Sequence, residues 1–300
     1  MSEIRLYKPA DDPEWELPDE TRLWRYVPLK TLFVYLCGNV FIPSITTLRK
    51  ADPFEGSVFL DLIPNGWISH VIEKWHGAVE AAKVRQWLGQ HVLCAELQEF
   101  GDNPETIYRA YLEILQNTRC AWCWFEANEN TESAAMWNLY GKDGVAVTTT
   151  VGRLRTALGK QAHKFEFSRM GYISVGRGGI RRSPYPAEVD WLLRPHYLKR
   201  SEYGSEQEIR FVTTQPKPGA GILLNLQPSE WIDGIVLYPG YEETEVIALQ
   251  SAVGKSLPGI TCKQSGLLGK DAKDLIAEIV AQHRPQIPQS LQRLWPISKD

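Results

Sequence analysis

The sequence predicts an α+β fold: a single domain with a mixed or antiparallel central sheet and flanking helices. Three observations predict it. Short β-branched and aromatic runs are interspersed with runs of helical spacing. One run, Cys120–Phe125, is apolar enough to be a buried central strand. No internal repeat is present. Nothing requires a second domain, so the domain is expected over 21–285. An irregular Asp-, Glu- and Pro-rich segment (1–20) precedes it and a tail (286–300) follows.

Leu23–Val27 is the first strand candidate, with Arg25 as the one charge inside it. Leu29, Leu32, Phe33 and Leu36 repeat at helical spacing. Asn39–Pro43 is a turn into a short strand. Asp52-Pro-Phe-Glu-Gly56 is a loop, in which Asp52 can cap its own backbone and Phe54 can anchor the turn. Ser69–Gln98 has helical periodicity broken near Gly89. Pro104–Leu115 is a helix with Asn103 as N-cap and Pro104 as first residue. After the strand Cys120–Phe125, Thr131–Tyr140 is a short helix closed by Gly141. Gly144–Thr150 alternates as a strand, and Val151–Leu158 is a helix capped by Thr150. His163–Val175 is a strand pair or one bent strand. Gly176–Pro186 is a flexible basic loop, and a helix follows through Trp191. The remaining strands are Glu206–Thr214, Ile222–Leu226, Trp231–Tyr238 and Gly259–Gln264. The remaining helices are Glu242–Ala252 and Ala272–Gln282.

Composition narrows the function classes. A net charge of −3 with a pI near 6.1 does not suggest a general nucleic-acid or membrane binder. The five Cys make no disulfide framework. The first residues lack an apolar signal core, and no run has the length of a membrane span. The expectation is a cytoplasmic protein with reduced thiols. Cys120 and Cys123 have half-zinc-site spacing, but on a strand they point to opposite faces and read as core thiols. There is no Gly-x-Ser-x-Gly elbow and no His-Glu-x-x-His pair.

Two segments carry chemistry. In Ser205-Glu-Gln-Glu-Ile-Arg-Phe211, strand alternation would set Glu206 and Glu208 side by side, so one of their pKa values should rise. The alternative is a solvated strand edge with Arg210 pairing to them. In Glu126–Gly141, a polar loop leads into a helix whose one face carries Ser133, Trp137 and Tyr140. Polar groups beside an aromatic face at the end of a central strand suit a ligand pocket. The alternative is ordinary helix packing of Trp137 and Leu139.

The order of several short motifs resembles the bacterial domain-of-unknown-function 2971 family. They are Leu23-Trp-Arg-Tyr, Asp52-Pro-Phe-Glu-Gly, Trp124-Phe followed by Glu132-Ser-Ala-Ala-Met-Trp-Asn-Leu-Tyr-Gly, Gly144-Val-Ala-Val, Tyr203 through Glu208-Ile-Arg-Phe, Ile235-Val-Leu-Tyr-Pro-Gly and Gln264-Ser-Gly-Leu. The similarity spans roughly residues 22 to 268 and supplies no activity. A weaker resemblance, to ADP-ribosyltransferases, rests on an early strand Arg and a late Glu-x-Glu strand. It implies a split sheet and NAD as substrate. It casts Glu208 as the catalytic Glu and Glu206 as the accessory Glu that acts on the acceptor. Arg25 would hold the ribose or phosphate, and Tyr26 or Tyr140 would stack on nicotinamide. Trp137 and Asn138 stand in the same aromatic segment. The pattern's Ser-Thr-Ser strand has no clear counterpart; Thr148-Thr-Thr150 is a poor substitute.

The resulting expectation is an NAD-consuming enzyme, of the kind that acts as a toxin or anti-phage effector. It would have a protein or nucleic-acid acceptor and an inhibitory partner protein. Two other classes stay open. One is a non-catalytic nucleotide or nucleic-acid module using Arg177, Arg181 and Arg182 on phosphates. The other is a metal-dependent hydrolase or nuclease using Asp52, Glu55 and Glu132.

Overall fold

Eight strands form the main sheet, in the order β1-β6-β10-β4-β2-β5-β12-β13. They are β1 (Arg5–Leu6), β2 (Arg22–Pro28), β4 (Arg119–Glu126), β5 (Gly144–Thr150), β6 (Phe165–Arg169), β10 (Glu208–Thr214), β12 (Gly234–Leu237) and β13 (Thr261–Gln264). Only the outer pairs, β1–β6 and β12–β13, run parallel. The expected α+β class with a mixed, mostly antiparallel sheet therefore holds. The computed structural model describes residues 4–6, 15–57, 84, 86, 88, 103–127, 132–176, 179–182 and 194–268. The expected helices at 272–282 and through Trp191 lie outside these residues, as does most of the helical stretch 69–98. Arg177 lies outside them too.

The interior of the sheet is continuous on either side of one weak seam. β2 pairs with β5 along its whole length, Arg22 through Pro28. β4 likewise pairs with β10 from Phe125 to Arg119. Between β2 and β4, however, the register joins only Leu23 to Glu126 and Trp24 to Phe125. Beyond Trp24 the β2–β4 register does not continue, although the eight strands remain one sheet.

Local chemistry explains most elements. α1 (Leu29–Leu36) follows β2 directly and buries Leu32 and Tyr35. Phe33, expected on the inner face, stays about half exposed at 47%. β3 (Asn39–Pro43) pairs with β11 (Gly221–Asn225) in a separate two-stranded sheet. α2 (Ile45–Leu48) is capped by Ser44, whose hydroxyl accepts from the Thr47 N–H. α3 (Pro104–Thr118) starts as expected: the Asn103 carbonyl accepts from the N–H groups of Glu105 and Thr106, two of the donors a helix start leaves unpaired. The expected helix before Gly141 is a short α4 (Ala134–Met136) that widens into a π-turn, Trp137–Gly141. α5 (Val151–Leu158) has the Thr150 cap.

The stretch 163–175 divides between two sheets. β7 (Gly171–Gly176) leaves β6 and joins β8 (Gly179–Arg182) and β9 (Leu198–Arg200). Part of the expected basic loop is thus the β7–β8 hairpin. The expected strand Trp231–Tyr238 begins later, because Pro228–Trp231 forms a helical turn, α6. α7 (Glu243–Ser256) completes the order.

One face of the main sheet packs against α1, α5, α6 and α7. Its centre is Trp122, Trp124 and Trp231, set edge-on to one another with ring centres 5.1 to 6.0 Å apart. Cys120 lies in this core and Cys123 on the opposite face, as alternation requires. Burial raises both thiols, Cys120 to about 12.

The β2–β5 register ends where Pro28 faces Gly144. A Cβ on Gly144 would stand 2.2 Å from the Val27 carbonyl oxygen. Gly144→Ala should therefore destabilise the fold by about 1–3 kcal/mol, the usual cost of overpacking. A lower urea midpoint is the readout, and an unchanged one would contradict this register.

Candidate functional site

The seam opens into a cavity of about 280 Å³ on the sheet face opposite the tryptophan core. β2 contributes Arg25 and Tyr26, β4 contributes Cys123 and Phe125, and β10 contributes Glu208 and Arg210. The loop after α2 adds Asp52 and Glu55, and Tyr140 closes one side. Lys199, Tyr203 and Glu206 complete the charged wall.

A chain of buried charges organises it. The Arg210 guanidinium grips Glu55 with both Nη atoms, at 2.5 and 2.8 Å, and its Nε donates to Glu208 at 2.6 Å. It also donates to the His196 carbonyl at 2.7 Å. Lys199 Nζ then spans Glu208 at 3.0 Å and Glu206 at 2.5 Å. Tyr140 donates its hydroxyl proton to the other Glu206 oxygen at 2.8 Å. All four of Lys199, Glu206, Glu208 and Arg210 are at most 9% exposed. Charges so buried are tolerable only because each has a hydrogen-bonded counter-charge.

The expected clash between Glu206 and Glu208 is resolved differently from a simple strand. Glu206 ends a 3₁₀ turn (Ser201–Glu206), and Gln207 takes a left-handed φ of 46° before β10 starts at Glu208. This kink, strained for a residue with a Cβ, aims both carboxylates at Lys199. The rise in pKa expected of the pair does not occur at Glu208. Burial alone would raise it, but Arg210 and Lys199 outweigh burial and hold it down at about 2. Lys199 is shifted the other way: burial would lower it, and Glu208 and Glu206 hold it above its ordinary value. The edge reading with Arg210 pairing is right about the pair and wrong about the solvent.

Arg25 stands apart from this network. Its Nε donates to the Tyr35 hydroxyl at 3.1 Å and its Nη1 to the Cys123 carbonyl across the seam. Lys199, Arg200 and Arg210 each face a carboxylate. Among the described residues Arg25 has none at ion-pair distance. It is a cation lining the cavity, within the field of Glu208 but without an ion pair to it.

Of the residues nominated from sequence, Arg25, Tyr26, Tyr140, Glu206 and Glu208 meet at this cavity. Tyr140 stacks on Phe125, with ring centres 5.5 Å apart. Burial, then the Glu206 carboxylate, push its hydroxyl well above the usual range, so it remains a proton donor. Tyr26 is a wall rather than a platform: Trp137 meets it edge-on at 4.9 Å, and its hydroxyl accepts from the Ser133 N–H. Trp137 itself is 2% exposed, packed with Trp24 and Met136, and does not reach the cavity. Asn138 is exposed and outside the lining. The π-turn accounts for both: the extra residue per turn rotates Asn138 outward and brings Tyr140 round to Glu206.

The carboxylates nominated for a metal do not gather. Asp52 and Glu55 lie at the cavity, where Asp52 also accepts from the Phe54 N–H as an Asx turn. Glu132 lies elsewhere, tying Trp137 Nε1 and the Gly266 N–H. Among the described residues no group of three or more His, Cys, Asp and Glu could hold a metal ion.

Lys199 carries no signal in the sequence, and Tyr203 figures there only within a family motif, with no site role. Lys199 sits on β9 and reaches the site because β9 pairs with β7, a contact nothing local announces. Lys199 Nζ lies 4.6 Å from the centre of the Tyr203 ring, a cation–π contact. The side chains of Arg181 and Arg182 lie outside the described residues. Comparison with protein-family models, with curated proteins and with solved structures yields no match to this chain.

Arg210→Met should destabilise by about 3–5 kcal/mol, because it takes the counter-charge from buried Glu55 and one of the two held by Glu208. Urea unfolding is the readout, and a loss below about 1 kcal/mol would refute the network's importance. Glu208 also sets a pH dependence. Its folded-state pKa of about 2 lies below its ordinary 4.5, so it stabilises the fold above pH 4.5. That contribution fades as the pH falls from 4.5 toward 2. Wild-type stability should fall in that window, and Glu208→Gln should flatten the slope. Equal slopes would contradict the assignment.

Proposed function

We propose that the cavity binds a nucleotide-type ligand and that the chain cleaves the nicotinamide–ribose bond of NAD, in the manner of the ADP-ribosyltransferases it resembles. One observation carries the reading: Arg25, Tyr26, Tyr140, Glu206 and Glu208, far apart in sequence and chosen for that chemistry, border one cavity where the β2–β4 pairing is shortest. The volume lies just below the range for sites that bury drug-sized ligands. It suits the nicotinamide riboside end, with the remainder of the dinucleotide outside.

The chemistry divides among the residues. Arg25, with no carboxylate at ion-pair distance among the described residues, takes a phosphate or ribose oxygen. Phe125 and Tyr140 offer ring faces and edges to the nicotinamide. As the C1′–N bond breaks, its electron pair leaves with nicotinamide and the ribose becomes oxocarbenium-like. Glu208, held ionised, faces that positive charge. Glu206 accepts the proton of the attacking acceptor, and Tyr140 orients it.

A second reading has its own observation. Both Glu208 oxygens are already engaged, by Arg210 and by Lys199, which suits a structural anchor in a nucleotide-binding module without turnover.

Nicotinamide release and NAD binding, measured together, separate the two. The enzyme reading expects release by wild type and at least about a hundredfold loss in Glu208→Gln, with binding retained. Binding without release favours the module. Absence of both overturns the nucleotide reading.

A further inference from the structure

Two residues back along β2 from Tyr26, the same sheet face holds a second cavity, of about 420 Å³. Trp24, Thr148, Gly234 and Thr261 form one cross-strand row over β2, β5, β12 and β13. All four line the cavity, with Arg22 and Lys263 beside them. The row has a gap at Gly234, which has no side chain. A Cβ there would stand 2.8 Å from Thr148 Oγ1. The cavity thus opens over the Thr148 hydroxyl.

The lining is rich in donors and holds a single carboxylate, Asp233. Thr148 is only 8% exposed, and among the described residues its hydroxyl has no hydrogen-bond partner. Trp24 is 6% exposed, and its indole N–H also lacks an acceptor. A buried indole N–H left so is uncommon and asks for a partner; the Thr148 hydroxyl is not sealed from solvent in the same way. Lys263 faces no carboxylate among the described residues. The lining's one carboxylate, Asp233, is already held by Arg22 at 2.9 Å and by Arg153 at 3.8 Å. That leaves hydroxyls, an indole N–H and two cations around a pit with a net positive charge.

We propose that this cavity is an oxyanion site that receives a phosphate group. A tetrahedral phosphate offers acceptors in several directions at once, matching Thr148, Thr261, Lys263 and Arg22 around it. The site does not depend on NAD cleavage at the seam.

The test is a titration of the whole chain, followed by backbone amide NMR, with inorganic phosphate and separately with ribose 5-phosphate. Sodium chloride at matched ionic strength is the control. Saturable shifts at Thr148, Gly234 and Thr261 are expected. Lys263→Ala, an exposed and structurally mild change, and Thr148→Val should each weaken binding about tenfold. Tighter binding of the sugar phosphate would identify a phosphomonoester as the ligand, and equal binding would identify free phosphate. Shifts that fail to saturate, that chloride reproduces, or that persist with unchanged affinity in both variants would overturn the proposal.

Discussion

The bidentate grip of Arg210 on Glu55, extended through Glu208 and Lys199 to Glu206, is the constraint on which the site depends. It joins β10, β9, the 3₁₀ turn before β10 and the loop after α2 beneath one cavity. Every member is buried, so none can lose its partner without leaving a naked charge in a low-dielectric interior. The network therefore fixes position as much as it contributes stability. Glu206 and Glu208 point where they do because Lys199 holds both.

The weak pairing between β2 and β4 is the second constraint. A sheet that stayed paired past Trp24 would have no room for a ligand at its centre. Here the pairing stops, and Arg25 bridges to the Cys123 carbonyl. The bridge satisfies a backbone acceptor that a neighbouring strand would otherwise take. It also places at the cavity a cation that, among the described residues, has no carboxylate at ion-pair distance. The charge network on one side and this bridge on the other give the cavity its two electrostatic characters.

Much of the fold was legible because local physics set it. Leu29–Leu36, Gly144–Thr150 and Val151–Leu158 form where hydrophobic spacing and the Thr150 cap place them. What was not legible depends on distant pairing or on backbone detail. The stretch 163–175 alternates like a hairpin, yet β6 and β7 belong to different sheets because their partners lie near residues 198 and 209. The sequence leaves Trp137 open between a ligand platform and ordinary packing; in the π-turn it packs inward, while Leu139, paired with it in the packing reading, is exposed. Glu206 and Glu208 were legible as a pair, but the lowered pKa of Glu208 was not. The cation between them, Lys199, comes from a strand with no sequence signal of its role.

The most direct test of the seam as a ligand site is a crystal structure of the chain with NAD. The account predicts density for the nicotinamide ring beside Phe125 and Tyr140, the ribose facing Glu208, and a phosphate or ribose oxygen on Arg25. A cavity left empty at saturating NAD, or a ligand seated away from Arg25 and Glu208, would contradict it.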